Sequence, residues 1–347
     1  MAVPGRIRVV EGNEALLPAV LEFARRTYPE GSHQGRIGYY HWLYERAPGK
    51  LSSMLLVLDD QDRVVGTLHR LFLDWRIHDA ILQVPTLIDL ALDPEYRPSG
   101  AGIRLILRGT QDVPHAFVNG SNPNSAPVFR GLRYQEIQGG VWSRLALRPL
   151  SALWRTLVFR TFGAVARPIE PQRLNPRYGI QCTSAPSDQL LADLALLANA
   201  SPATVRPNWT LDSLRWRFFH PQGPRHVLFH GRDATGELLS ALVLSLGTTR
   251  GLNVVRPLLL VAKDQRSMSD LIKASYRSAK DAGAHAAASY SMDATVIQVL
   301  SDLGARKRKD PPATFFHHKR RTDHLLFTDL DIPAGASDLG FDAFPRP

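Results

Sequence analysis

The sequence predicts an α/β (α+β) chain of two domains, one following the other, and three observations predict it. The first is length: 347 residues with 44% apolar content supply two ordinary cores. The second is a strand–turn–helix passage. The apolar run Pro85–Asp93 is followed by Arg97-Pro98-Ser99-Gly100-Ala101-Gly102 and then by Ile103, Leu105, Ile106 and Leu107. The third is self-similarity. Tyr40-His41-Trp42-Leu43-Tyr44 leads through a loop with Pro48 to Ser52–Leu58, a polar link and Val64–Leu68. Leu214-Arg215-Trp216-Arg217-Phe218 leads through Pro221 to His226–Phe229, a polar link and Leu238–Leu244.

Each copy opens with a strand and a helix: Ile7–Val10 then Asn13–Thr27, and Ile180–Thr183 then Asp188–Ala200. Asn13 and Ser187 stand where a short polar side chain caps the first free amides of a helix. The Asp- and Gly-rich links suit hairpin turns. The copies also correspond at their ends, Ala126–Tyr134 with Thr295–Ala305. Domains are therefore expected over 1–146 and 179–332, joined by a connector over 147–178 and followed by a loose Pro-, Gly- and Ser-containing tail over 333–347.

The glycine turn is the passage with chemistry in it. Glycine lets a backbone approach a ligand closely, and a helix opening there aims unpaired N–H groups at the approach, which is how proteins hold a pyrophosphate. The dinucleotide fingerprint is absent, because the Gly-x-Gly-x-x-Gly order is not there. The P-loop is excluded for want of Gly-Lys-Ser/Thr. In the second copy the corresponding stretch, Leu258–Asp270, has no glycine. Its side chains should block a close approach, so the second copy reads as a scaffold or as a wall of the substrate site.

With Leu90-Ala91-Leu92-Asp93-Pro94-Glu95-Tyr96-Arg97, Gly100 and Gly102 the first copy resembles the coenzyme A motif of the GNAT (GCN5-related N-acetyltransferase) superfamily. A second signature is matched loosely by Phe117-Val118-Asn119, Asn122, Asn124, Ala126, Phe129 and Tyr134. The resemblance implies two tandem domains, each a mixed, mainly antiparallel sheet flanked by helices. It implies acetyl-CoA or another acyl-CoA as co-substrate, without a metal, and acyl transfer to a primary amine. The pantetheine would lie along Leu90, Ala91 and Leu92, and the pyrophosphate on Arg97, Ser99, Gly100, Ala101, Gly102 and Ile103, where Pro98 has no N–H to give.

Asp89 is the candidate base, because a carboxylate within an apolar strand is costly unless it is solvated or paired. His69 is its rival, with His78 on a neighbouring predicted strand, since their intrinsic pKa suits the task. Asn119, Asn122 and Asn124 are candidate substrate-binding groups. Where many relatives carry a Tyr that protonates the leaving thiolate, this chain has Phe129. Tandem members with the Trp-x-aromatic…Pro pattern resemble proteins of bacterial surface-polysaccharide pathways, so an amino sugar is the first substrate expected. Two alternatives stay open: an aminoacyl-tRNA-dependent transferase of the peptidoglycan-bridge type, and a non-catalytic acyl-CoA sensor, which Phe129 would suit.

The net charge of +10, from 42 basic and 32 acidic residues, favours anionic partners. No RNA- or DNA-reading motif accompanies it, so nucleic acid is not expected. The single cysteine, Cys182, excludes an internal disulfide and fits a reducing compartment. No secretory signal and no apolar stretch of spanning length are read, so a cytoplasmic protein is expected, with peripheral membrane contact open. That contact would come from Arg148–Arg167. There Trp154, Val158 and Phe162 share a helical face with Leu150 and Leu157, bordered by Arg148, Arg155, Arg160 and Arg167. The same pattern fits a connector docked between the domains. The runs Arg306–Lys309 and His317–Arg321 read as solvated faces or as guides for an anionic substrate. His317 and His318 are not read as a metal pair, because neighbours on a strand face apart.

Overall fold

The computed structural model describes residues 6–44, 53–177, 179–318 and 330–336. They divide into two units, the first drawn from 1–75, 82–138 and 312–327 and the second from 76–81, 139–311 and 328–347. The Pro48 loop, the basic residues Lys319, Arg320 and Arg321, and the tail beyond 336 lie outside the described residues.

The first unit carries strands β1 (Arg8–Glu11), β2 (Met54–Leu58), β3 (Val64–Ile77), β4 (Ala80–Leu92), β5 (His115–Ser121) and β6 (Gln135–Glu136). Its helices are α1 (Leu17–Thr27), α2 (Ile37–Tyr44), α3 (Ala101–Thr110) and α4 (Ala126–Gly131). The second carries β7 (Val141–Ala146), α5 (Pro149–Phe162), β8 (Ile180–Thr183), α6 (Asp188–Asn199), β9 (Val205–Pro207), α7 (Leu211–Phe219) and β10 (His226–Arg232). It continues with β11 (Leu238–Thr249), β12 (Leu252–Ala262), α8 (Gln265–Asp281), β13 (Ala286–Ser291), α9 (Ala294–Asp302) and β14 (Arg306–Lys307). The last strand, β15 (Ala313–His318), falls in the first unit.

The two sheets follow one plan. The first runs β1-β2-β3-β4-β5-β15-β6 and the second β8-β10-β11-β12-β13-β7-β14. Both are mixed and mainly antiparallel: β4 with β5 and β12 with β13 pair in parallel, and most of the other recorded pairings are antiparallel. The sequence expectation of two contiguous domains needs correction at the sixth place of each sheet. There β7, expected at the end of the first domain, pairs with β13 from Val141↔Ser291 to Ala146↔Ala286. Reciprocally, β15 pairs with β5 from Ala313↔Ser121 to His318↔His115. Alternation of apolar and polar residues announces a strand but not the sheet that takes it.

Side-chain caps set two of the expected boundaries. Asn13 accepts a bond from the Leu16 amide at 3.1 Å, and Ser187 from the Leu190 amide at 3.3 Å. The expected loose tail is corrected in part: Ala334–Ala336 form a helical turn and are buried. The first core gathers Leu55, Leu68, Leu87, Leu105, Ile106 and Phe129 under α3, and the second gathers Phe229, Leu242, Leu271, Ile272 and Leu300 under α8. Cys182 is half-buried in β8 at the rim of the second core, where burial pushes its thiol up to about 12.

Candidate functional site

In the first unit, β4 pairs with β5 at Thr86↔Phe117, and three residues later its backbone turns at Asp89, which sits at φ 52°. Past this bend the Asp93 amide donates to the Val65 carbonyl of β3 at 2.9 Å. By the period of two, Ala91 also faces β3, and the main-chain groups of Leu90 and Leu92 point to the opposite edge. Gly66 lets β3 lie close to β4 here, since a Cβ on it would run into Leu92 Cδ2. Leu90, Ala91 and Leu92 are all half-buried.

The chain then makes a tight helical turn over Pro94–Ser99 and enters α3 through Gly100, whose φ of 76° suits glycine. Tyr96 is buried, with its hydroxyl 3.4 Å from Asp59 Oδ2 in the β2–β3 turn. Ser99 Oγ donates to the Tyr96 carbonyl at 2.6 Å and accepts from the Ala101 amide at 3.3 Å. The first bond of α3 runs from the Arg104 amide to the Gly100 carbonyl, so the amides of Gly102 and Ile103 precede the helical ladder. Gly102 lies against β4: a Cβ there would stand 3.2 Å from Leu92 Cδ1. Arg97 and Ile103 are exposed at the mouth of the turn. The bend at Asp89 and the turn at Gly100 thus place an open strand edge beside open amides.

Asp89 is held by donors on two sides. Gln34 Nε2 donates to its Oδ1 at 2.8 Å and the Tyr39 hydroxyl to its Oδ2 at 2.6 Å. Its carbonyl accepts from Thr67 Oγ1 at 3.2 Å and from the Tyr28 hydroxyl at 3.3 Å. Each carboxylate oxygen retains a lone pair. Burial, then the nearby Asp89 charge, raises the Tyr39 and Tyr40 hydroxyls, so both stay neutral and act as donors. The Tyr44 hydroxyl is likewise raised, by burial first and then by Tyr40 and Asp89. It bonds His69 Nδ1. Burial holds His69 down at about 4, with Asp89 opposing and His33 adding to the effect. His78, by contrast, occupies the turn after β3 and is exposed.

Other candidates do less. Asn119 is buried and accepts from Thr314 Oγ1 at 2.9 Å, a bond within the sheet. Asn122 accepts from the amides of Asn124 and Ser125 at 2.9 and 3.1 Å and so shapes the entry to α4, and Asn124 is exposed. Phe129 is 2% exposed between Tyr134 and Phe315, at ring distances of 5.2 and 5.6 Å. It is part of the core.

Sequence reasoning missed Gln34, Tyr39 and Tyr44. A signal existed. Aligning Trp42 with Trp216 sets Tyr39, Tyr40 and Tyr44 against Ser213, Leu214 and Phe218, so the first copy has three phenols where the second has none.

The corresponding turn in the second unit is closed by its own chain. Asp264 caps α8, accepting from the Ser267 amide at 2.8 Å and from Ser267 Oγ at 2.9 Å. The parallel pairing of β12 with β13 is recorded at Val254↔Ala286 and Val255↔Ala287. Beyond it, Ala334–Ala336 pack on both strands, and a Cβ on Gly335 would lie 2.9 Å from the Leu258 carbonyl. A cavity of about 880 Å³ opens in this unit at the end of β12. Two ion pairs line it, Arg232 with Asp193 at 2.7 Å and Lys263 with Glu237, together with Asp293 and Asp331. Burial raises the Asp331 carboxyl.

No family model and no curated protein sequence matches the chain. Solved structures do. N-myristoyltransferase of Saccharomyces cerevisiae with bound myristoyl-CoA is similar with a TM-score of 0.65 at 11% identity, over 91% of this chain and 83% of that one. A GCN5-related N-acetyltransferase from Anabaena variabilis is similar with a TM-score of 0.57 at 11% identity, over 90% and 73%. One from Kribbella flavida gives 0.55 at 16% identity, over 92% and 72%. The chain shares the fold of these structures, GCN5-related N-acetyltransferases among them, and the likeness extends over both halves of the chain.

Proposed function

We propose that the chain is an acyl-CoA-dependent N-acyltransferase with its acyl-CoA site in the first unit. The observation that carries this reading is the open N-terminus of α3 at Gly100–Ile103 beside the free edge of β4. Amides at a helix start attract a pyrophosphate, and Leu90 and Leu92 can pair main chain to main chain with an extended pantetheine. The structural neighbours support the class of reaction through their own substrates: one holds myristoyl-CoA.

In this reading Asp89 receives the acceptor. Its carboxylate, oriented by Gln34 and Tyr39, binds the substrate ammonium and takes its proton. The freed amine attacks the thioester carbonyl, a C–N bond forms, and the C–S bond breaks as the tetrahedral adduct collapses. His69 takes no proton at neutral pH and orients Tyr44 instead. Phe129 cannot protonate the thiolate, so water does. Alignment of the reactants alone can be worth about 7–11 kcal/mol, which leaves little for an acid to add. The acyl group we assign is acetyl, and the acceptor a primary amine, with amino sugars first.

Thermal unfolding with and without saturating acetyl-CoA tests the site, because a ligand of the native state raises the transition temperature. No shift with acetyl-CoA or a longer acyl-CoA would remove the cofactor assignment. Thiol release measured over a panel of amines and amino sugars then separates enzyme from sensor. A shift with no turnover on any amine would favour the sensor, which the buried Phe129 suits.

A further inference from the structure

Helix α5 (Pro149–Phe162) turns its most apolar face to solvent. Leu150, Leu153, Trp154 and Leu157 follow one another at the i, i+3, i+4, i+7 spacing of a single stripe. With Phe162, they are between 50% and 84% exposed, and no residue of the helix is fully buried. The opposite face is the docked one. A Cβ on Gly251 would stand 2.6 Å from Phe159 Cβ, so the β11–β12 turn sits tightly under the helix, and the Ala166 amide donates to the Gly251 carbonyl at 3.1 Å. On the docked side Val158 and Phe159 are half-buried, while the residues of the larger Leu–Trp stripe are exposed.

Charge says what kind of surface would cover it. Residues 137–169 contain Arg144, Arg148, Arg155, Arg160 and Arg167 and no Asp or Glu. Arg160 and Arg167 are exposed. We propose that α5 is an interfacial anchor that lies flat on an anionic lipid bilayer. Its Leu–Trp stripe enters the acyl boundary, and Arg160 and Arg167 meet the phosphate headgroups. Trp and Leu on one side with arginines at the edge are the composition of such helices. No described helix is long and apolar enough to cross a membrane, so the helix rests on the surface rather than spanning it. A second copy of the chain is a poorer cover. A symmetric contact through this stripe would bring the arginines of both copies together with no carboxylate in 137–169 to separate them.

The test is cosedimentation of the full chain with vesicles of phosphatidylcholine alone or with 30 mol% phosphatidylglycerol. Binding is expected to the anionic vesicles, to weaken with salt, and to be at least about tenfold poorer to the neutral ones. The pair Leu153→Glu and Trp154→Glu, both at exposed positions, should abolish binding, and Arg160→Glu with Arg167→Glu should reduce it about tenfold. Circular dichroism and the unfolding temperature verify that each variant folds. Absence of binding to anionic vesicles, or binding that survives Leu153→Glu/Trp154→Glu, overturns the proposal. So does sedimentation velocity if it finds a dimer that this double variant separates, because the stripe would then be a self-association face.

Discussion

The strand-to-helix turn at Gly100 and its counterpart at Asp264 occupy the same place in two sheets of the same order. They solve the problem of a helix N-terminus in opposite ways. In the second unit the chain supplies its own anion: Asp264 takes the Ser267 amide, and hydrogen bonds from Ser267 hold its carboxyl below the usual range. In the first unit Gly100 bends the backbone into the left-handed region, and among the described residues no side-chain hydrogen bond caps the amides of Gly102 and Ile103. A capped helix start is satisfied and an uncapped one can bind. The difference teaches that an anion-accepting helix start can arise by omission: the first turn lacks the capping side chain that satisfies the second.

Breaking the open turn should have the largest effect. Gly102→Leu directs a side chain at Leu92 across the groove and is expected to eliminate the thermal shift given by acetyl-CoA, a shift worth about 2.7 kcal/mol at a hundredfold excess over Kd. Asp264→Ala should leave that shift unchanged. If it is Asp264→Ala that alters the shift, the two turns have been assigned the wrong way round.

Asp89→Asn comes next. Acyl-CoA should still stabilise the variant, while kcat/KM on the preferred amine falls by roughly 10²–10⁴, the usual contribution of general acid–base catalysis. A loss of acyl-CoA binding with intact turnover at saturation would show that the carboxylate shapes the strand rather than the chemistry.

His69→Gln sharpens the comparison through pH. The folded pKa of about 4 lies below the ordinary 6.5, so between these values the unfolded chain binds a proton that the folded chain refuses. Stability is complete above about pH 6.5 and declines as pH falls toward 4. This one histidine contributes a loss of about 2 kcal/mol between pH 7 and 4.5. Urea unfolding at the two pH values should show the variant losing less than the parent by that amount; equal losses would mean His69 is not the buried neutral group described.

The smallest effect is expected from Phe129→Tyr. A hydroxyl placed in the core beside Phe315 should cost about 1–3 kcal/mol in denaturant unfolding and add nothing to the rate. A rate gain would restore this position to thiolate protonation.

What could be read in advance follows from how local each device is. The Gly100 turn was legible because left-handed backbone and a missing side chain are properties of one or two residues. The caps at Asn13 and Ser187 were legible for the same reason. Asp89 drew notice as a charge in an apolar strand, but Gln34, Tyr39 and Tyr44 converge on it or its neighbour His69 from 25 to 55 positions away in the chain. The two halves laid side by side expose the phenols, but nothing local marks Gln34. The placement of β7 and β15 had no local signature, because a strand pattern is the same whichever sheet receives it.

That last feature has a consequence for how the protein is made. Asn119 of β5 bonds Thr314 of β15 across 195 positions of sequence. The first sheet therefore waits, with the β5 edge unpaired, until β15 has been synthesised 195 positions later. At about 5–20 residues per second the wait is roughly 10–40 s, with β5 exposed to any other strand it meets. A ribosome stalled within the second half would release a first half able to form most of its core but not to close its sheet, and such truncated chains are the ones a chaperone should be found holding.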